Sequence, residues 1–525
     1  KGKPRLHGGQ PVHRRVGPDL QLSLAQHVER RQKLSLREKL WAERVAGPQP
    51  GLDLRLVPDE LSIPYAGKDA YVTRRVGPIL LSRVKAEGLE EVVRLDSAVL
   101  PLVEDMQRSG MHIDLGRYWQ VMGEISIRKE EVVREIRELV GDNAFLPGSG
   151  DQVAEFCRQT WKREGKLGLT RMTKSRKRES VDSDALALLR DEHPFIPLIL
   201  EYRELDKYEG TYLLPLRPLI EERADAAAST FWLRSNLRVT SVVSGRLSSH
   251  APNILAWPAR TRLGLKVRSI FTAPPGWKLA SWDLEQIEMR IAAAISKDPV
   301  LTEVFLKGLD PHTALASRLF HRPYAEVDKG SPDELTTRTP SKNVNYGLVY
   351  GQQGDSLFED LIALGVPITR EGTWRLIRNT WNVYAGLKEY RDRGVRKLRQ
   401  TGEARDFLGR RRFLPGAQLE GEEWPLNSLR WEAERQWLNY EIQGFAAELL
   451  KRSMLTYWTD VRPRREGQIR LWLQMHDELM GQVREEKWEE INREMQEVMT
   501  QESWLLSPLQ IATKGKIGDS WAELK

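Results

Sequence analysis

Two short segments of this chain place carboxylates where a strand would end. In Trp282-Asp283-Leu284-Glu285-Gln286-Ile287-Glu288-Met289-Arg290, the run Trp277 to Trp282 reads as a buried strand and Glu285 to Ser296 as a helix. Asp283 is thereby delivered to the strand's C-terminal end. An acid there can cap the helix, or it can hold a metal ion at the edge of a cleft. In Gln474-Met475-His476-Asp477-Glu478, two acids fall in the tight turn of a hairpin predicted over Ile469 to Met475 and Leu479 to Val483. Turn acids are common. Between the apolar flanks Leu471-Trp472-Leu473 and Leu479-Met480, however, charge is costly unless something pairs with it. Magnesium, a hard cation that prefers oxygen ligands, would do so.

A third segment carries Arg338, Lys342, Tyr346 and Tyr350, with Gly347 and Gly351 among them. A recurrence at every fourth residue puts the four large side chains in one stripe of a helix. Two cations followed by two aromatics make a poor core face. They suit a nucleoside triphosphate, with cations for the phosphates and an aromatic plane for base and sugar. A solvated surface is the plainer alternative, against which two tyrosines and two glycines in Asn345 to Gly351 are unusual.

The elements that must position these segments are mostly helical. Helical periods run over Leu20 to Trp41 and Tyr65 to Arg94, with a loop at Pro48 to Pro58. An amphipathic helix from Leu100 stops at Gly110, and a long charged one spans 115–141. Residues 166–180 are basic without a hydrophobic period and read as a loop; 184–224 return to helix. Short Val-, Leu- and Ser-rich runs such as Leu237 to Val243 follow. Helices dominate 300–400, with a loop around Lys329 to Asp333. We find no internal repeat.

Composition narrows the class. A chain of 525 residues is too long for one ordinary domain. It has no apolar stretch long enough for a membrane helix and no signal-peptide pattern. It begins at Lys1, as a processed chain or a piece of a longer one would. Cys157 is the only cysteine, which excludes an intrachain disulfide and a cysteine-based zinc cluster. The net charge of +7 is a mild bias, sharpened by the clusters Lys174, Arg176, Lys177, Arg178 and Arg410, Arg411, Arg412. Basic clusters neutralise phosphates, although each taken alone reads more simply as a solvated loop.

Together and in this order, the three segments resemble motifs A, B and C of family-A DNA polymerases, the bacterial DNA polymerase I type. The likeness extends to Ser244-Gly245-Arg246-Leu247-Ser248-Ser249, to Pro252-Asn253 and Pro258-Ala259-Arg260, to Leu408-Gly409-Arg410-Arg411-Arg412, to Arg435, Asn439 and Gln443-Gly444, and to Lys207, Thr211 and Tyr212. It covers about 65–525. The resemblance implies an α+β right-hand fold, with a thumb at 96–232, a palm from 233–299 and 435–525, and fingers at 300–434. It further implies primer-template DNA and deoxynucleoside triphosphates as partners, a monomer, and a cytoplasmic setting in a bacterium or virus-infected cell, or an organelle.

The resemblance also assigns roles. Asp283 and Asp477 would bridge two magnesium ions about 4 Å apart, with manganese expected to substitute. The Leu284 carbonyl would be a further ligand, with Glu478 close by. Arg338 and Lys342 would grip the triphosphate, Lys342 also serving as general acid to the pyrophosphate. Tyr346, Gln286 and His312 would line the nucleotide site. Tyr350 and Glu288 would close its 2′ side, making Glu288 a gate against ribonucleotides. Lys207, Thr211, Tyr212, Arg246, Asn253, Arg260, Arg435, Asn439, Gln443 and His476 would hold the DNA. Two departures stand out. Tyr346 replaces the Phe of many members, a feature of viral and organellar ones, and its hydroxyl predicts ready use of dideoxynucleotides. Leu284-Glu285 replaces the usual Tyr-Ser.

Tyr65-Ala66-Gly67-Lys68-Asp69-Ala70 resembles the last motif of the family's 3′–5′ proofreading domain, whose Asp-x-Glu motif is missing. Residues 1–95 thus read as the tail of such a domain, without exonuclease activity. Two rivals remain: a single-subunit RNA polymerase, opposed by the pairing of Glu288 with Tyr350, and an inactive DNA-binding paralogue, opposed by the presence of Asp283, Asp477, Arg338 and Lys342.

Overall fold

The computed structural model describes residues 58–164, 179–223, 229–259, 261–352 and 354–524. The expected Leu20 to Trp41 helix, the basic stretch Lys174 to Arg178 and Arg260 lie outside them. The chain falls into two compact units, 1–88 and 89–525.

In the first unit the described part is one helix, Asp59–Ala86. Acids in its first turn and bases in its last complement the helix dipole. Tyr65 and Asp69 both lie on its exposed surface. The helical period expected to run to Arg94 is interrupted, because Gly88 takes a positive φ of 67°. A new helix, Glu90–Ala98, buries Val92 and Leu95 in the second unit.

The second unit is α+β. Its centre is a four-stranded antiparallel sheet made of β1 (Trp277–Leu284), β2 (Ile469–Met475), β3 (Glu478–Arg484) and β4 (Thr513–Gly518), in the order β4-β1-β3-β2. Apolar residues on both faces of β1 explain why it lies inside: Leu279, Ala280, Trp282 and Leu284 are buried. The fully buried rings of Trp282 and Trp521 anchor the core around it, each side chain of this kind contributing about 2–3 kcal/mol.

Helices surround the sheet. Leu115–Val140 begins where Asp114 accepts the Arg117 amide at 2.9 Å, ends at left-handed Gly141, and packs on Phe195–Lys207. The segment expected as continuous helix over 184–224 is several pieces, including a π-helical turn at Tyr208–Leu213. Four helices matter below: α1 (Ile287–Ser296), α2 (Pro311–Phe320), α3 (Arg338–Tyr350) and α4 (Leu426–Thr456). Between α1 and α2, the fully buried Asp298 caps the helix Pro299–Leu306 through the amides of Val300 and Leu301. It also accepts those of Gly386 and Leu387, so one carboxylate ties two helices together.

Two sequence expectations are corrected here. Helix α1 starts at Ile287, not Glu285, because Gln286 adopts a left-handed φ of 53°. Asp283 is therefore inside strand β1 and does not cap a helix. Glu478 is likewise the first residue of β3, and only His476 and Asp477 form the turn, with His476 at φ 54°.

Candidate active site

The sheet register brings the acids together. Asp283 on β1 lies directly opposite Glu478 on β3, with Lys514 on β4 at its other side. Side chains directly opposite one another in an antiparallel pair sit about 5 Å apart at Cβ. The Leu284 amide donates to the Asp477 carbonyl at 3.0 Å, docking the hairpin turn on the end of β1. Gln474 braces the same turn by donating to the His476 carbonyl at 2.8 Å. Residues nearly two hundred positions apart are thus fixed side by side by backbone hydrogen bonds.

Burial and like charge set these acids apart from ordinary surface carboxylates. Burial, then Asp477 and Glu478, push the Asp283 carboxyl up to about 7. Burial raises Asp477 as well, as does the nearby Glu288, and burial raises Glu478. Carboxylates that oppose one another's ionisation gain most from a cation between them. Among the described residues, no group of three or more His, Cys, Asp or Glu side chains is arranged to hold a metal. Two carboxylates with hard oxygens suit magnesium, which takes one or two from the protein and completes its shell from substrate phosphates and water.

A cleft of about 880 Å³ opens in front of these acids. Its lining includes Asp283, Gln286, Glu288, His476 and Asp477, together with Tyr346, Gly347 and Tyr350 of α3. The stripe along α3 forms as expected. Tyr346 is braced by His312, with ring centroids 5.1 Å apart, and His312 meets the Asn345 side chain at 3.1 Å. Burial lowers His312 to about 4, so the ring is neutral at pH 7. Glu288, 8 % exposed, accepts from Arg246 at 2.9 Å and lies beside the Tyr350 phenol. Burial and the Arg246 charge lower His476 as well.

The two cations of the stripe differ. Lys342 is exposed on α3. Arg338 is nearly enclosed, donating to Thr313 at 3.0 Å, Asp310 at 3.2 Å and Glu334 at 3.4 Å. Neither lines the cleft. Asp310 does, and the sequence reading missed it. Its signal was present: an acid before Pro311 is a helix start, and its Oδ1 accepts the Thr313 amide at 2.8 Å. Arg290 was also passed over; it lines the cleft and donates to the Glu285 and Gln510 carbonyls.

A second cleft, of about 620 Å³, shares His476 and Asp477 with the first, adds Glu478, and runs past Tyr208, Trp257 and Thr261. Tyr212 is buried, donating to the Ala256 carbonyl at 3.0 Å; Lys207 and Thr211 are exposed nearby in sequence. Asn253 accepts from Ser249 at 2.9 Å. Arg435, Asn439 and Gln443 recur every fourth residue of α4. Arg435 packs so closely on Gly351 that a Cβ there would lie 2.1 Å from its Cγ. Arg268, unforeseen, is buried under this cleft with its guanidinium 4.1 Å from the Trp521 ring centroid. The Arg410 cluster is not the solvated loop expected of it. Arg410 holds Asp96 through two bonds of 3.0 Å, and Arg411 pairs with Glu403.

Comparison with known proteins identifies the family. Residues 118–523 match the sequence model of DNA polymerase family A. The chain is 31% identical over 468 residues to the thermostable DNA polymerase I of Thermus aquaticus, covering 88% of this chain and 52% of that one. It is 31% identical over 474 residues to DNA polymerase I of Geobacillus stearothermophilus, covering 90% and 50%. It thus spans about half the length of the curated relatives it matches. A solved structure, the POL domain of Pol1 from M. smegmatis in complex with DNA primer-template and dNTP, aligns at TM-score 0.71 and 26% identity, covering 97% of this chain and 80% of that one.

Proposed function

Because this chain belongs to DNA polymerase family A, we propose that it adds deoxynucleoside triphosphates to a primer's 3′ end under template direction, releasing pyrophosphate, in DNA replication or repair. The observation that carries this reading is the register that sets Asp283 and Asp477 together in a cleft that α3 also lines. A complex with primer-template and dNTP, as in the M. smegmatis neighbour, is the state we assign to that cleft.

Members of the family generally depend on a divalent metal. Asp283 and Asp477, with the Leu284 carbonyl and Glu478 beside them, would hold two magnesium ions, for which manganese can substitute. When bound, the ions supply charge neutralisation at the triphosphate and lower the pKa of the primer hydroxyl. The remaining work is positioning and electrostatics by the chain itself. Arg338 and Lys342 grip the phosphates, and Lys342 protonates the departing pyrophosphate. Tyr346, held by His312, stacks on the nucleotide; Gln286 lies beside it. Glu288, fixed by Arg246 and faced by Tyr350, fills the space a 2′-hydroxyl would need. Arg246, Asn253, Arg435, Asn439, Gln443 and His476 contact the duplex, where minor-groove acceptors are similar for every base pair. Lys207, Thr211 and Tyr212 belong to a thumb at 96–232, opposite fingers at 300–434; 233–299 and 435–525 make the palm. Arg260 is assigned to the template-primer segment. We assign the chain to the cytoplasm; among the described residues no helix is long and apolar enough to cross a membrane.

Primer extension on a DNA template tests this reading, with deoxynucleotides and ribonucleotides offered separately. The intact chain is expected to use deoxynucleotides alone. Glu288→Ala is expected to raise ribonucleotide use relative to deoxynucleotide use by about 10²-fold, on the scale of a lost close-packed discrimination. Equal use of both sugars by the intact chain would remove the gate from the account.

A further inference from the structure

Arg338, read with Lys342 as the phosphate grip, does not line the cleft it would serve. Arg338 has its guanidinium on Thr313, Asp310 and Glu334, and its side chain is 12% exposed. The charged lining of the cleft is mostly acidic, with Asp283, Glu285, Glu288, Asp310, Asp360 and Asp477 against two arginines, Arg246 and Arg290. Asp310 is the one that stands both in the cleft lining and on the guanidinium.

Asp310 is held rigidly. Its Oδ1 takes the Thr313 amide at 2.8 Å as the cap of α2, and the Arg338 Nη2 at 3.2 Å. Its Oδ2 takes the Gln286 side-chain amide at 3.1 Å, and its own amide donates to the Tyr324 hydroxyl at 2.9 Å. Gln286 lies three residues from Asp283. A single carboxylate thus joins the start of α3 to the end of the strand that carries the acid. An arginine already paired with two carboxylates must exchange at least part of that pairing before a triphosphate can take it bidentately.

We propose that Asp310 is a latch: in the nucleotide-free chain it holds Arg338 away from the cleft, and an incoming nucleoside triphosphate must displace it to be gripped. The proposal rests on the polymerase reading above. It makes nucleotide affinity the balance of two anions competing for one guanidinium, so that a poorly seated triphosphate loses to the latch.

Asn caps helices as well as Asp does, so Asp310→Asn removes the charge and keeps the cap. Isothermal titration of the primer-free chain with dATP in magnesium buffer gives the test. The panel is the intact chain, Asp310→Asn, Glu334→Gln, Arg338→Ala and the Asp310→Asn/Arg338→Ala double variant. The latch predicts binding about three- to tenfold tighter for Asp310→Asn, as coupled neighbouring charges give. Glu334→Gln, the second variant should the first fold poorly, shifts the same way. In the Arg338→Ala background Asp310→Asn changes nothing. Unchanged or weaker binding by Asp310→Asn and Glu334→Gln overturns the latch. So does a gain that persists without Arg338, which would be general repulsion between anions. A chain that extends primers but shows either result has lost only the latch; one that neither extends primers nor binds dATP has lost the polymerase reading and the latch with it.

Discussion

Asp283 sits among charges of its own sign, and that costs the fold something when no cation is present. Its carboxyl is raised from an ordinary 3.8 to about 7, by burial and then by Asp477 and Glu478. A raised carboxyl favours the folded state at low pH, and that contribution is lost as pH rises through the folded value. In metal-free buffer the chain is therefore expected to lose stability between about pH 4 and pH 8. Asp283→Asn should remove that loss, gaining about 1–2 kcal/mol at pH 8 by chemical denaturation while abolishing activity. A variant less stable than the parent at pH 8 would contradict the crowding of like charges. Tyr346 gives a second residue-scale prediction. Tyr346→Phe should raise discrimination against dideoxynucleotides by at least about tenfold in primer extension, the worth of one hydrogen bond to a polar partner. The clustering of the acids and the stripe on α3 were legible in the sequence, because the acids lie beside strand patterns and the stripe has a fixed period. Asp310 was legible as a helix cap but not as part of the cleft, since its partners Arg338 and Gln286 lie 28 and 24 positions away on other elements.

At the scale of elements, the site depends on joints rather than on any one helix. The Leu284 to Asp477 backbone bond locks the hairpin turn to β1. Asp298 locks Pro299–Leu306 to Ala385–Thr401 by accepting four amides while fully buried. Asp298→Ala strands those donors, and a loss of about 3 kcal/mol or more is expected in denaturant unfolding. A change below about 0.5 kcal/mol, the range of ordinary surface substitutions, would show that the joint is not needed. Element type was readable where the period was long, as for Leu115–Val140 and β2. Boundaries failed where single residues turn left-handed. Gln286 delays α1 by two residues, and His476 narrows the hairpin turn so that Glu478 joins β3. Gln has no propensity that announces a positive φ, and the enrichment of His there is too weak to fix one position from sequence.

For the whole molecule, the order of motifs along the chain was the most informative feature of the sequence. Strand order could not be read from it: β4, last in sequence, pairs with β1, and β1 lies between β4 and β3. The first unit contributes one described helix that displays Tyr65 and Asp69 on its surface, and the matched family region begins only at residue 118. The proposed chemistry lies in residues 89–525, on two acids that the sheet brings together. The most direct test compares single-turnover primer extension by the intact chain and by Asp477→Ala in magnesium, with primer-template binding measured on both. The account predicts that Asp477→Ala binds primer-template as the parent does and extends it at least about 10³-fold more slowly, the scale of losing a preorganised electrostatic group. Extension within about tenfold of the parent, a difference of only 1.4 kcal/mol in the barrier, would contradict it.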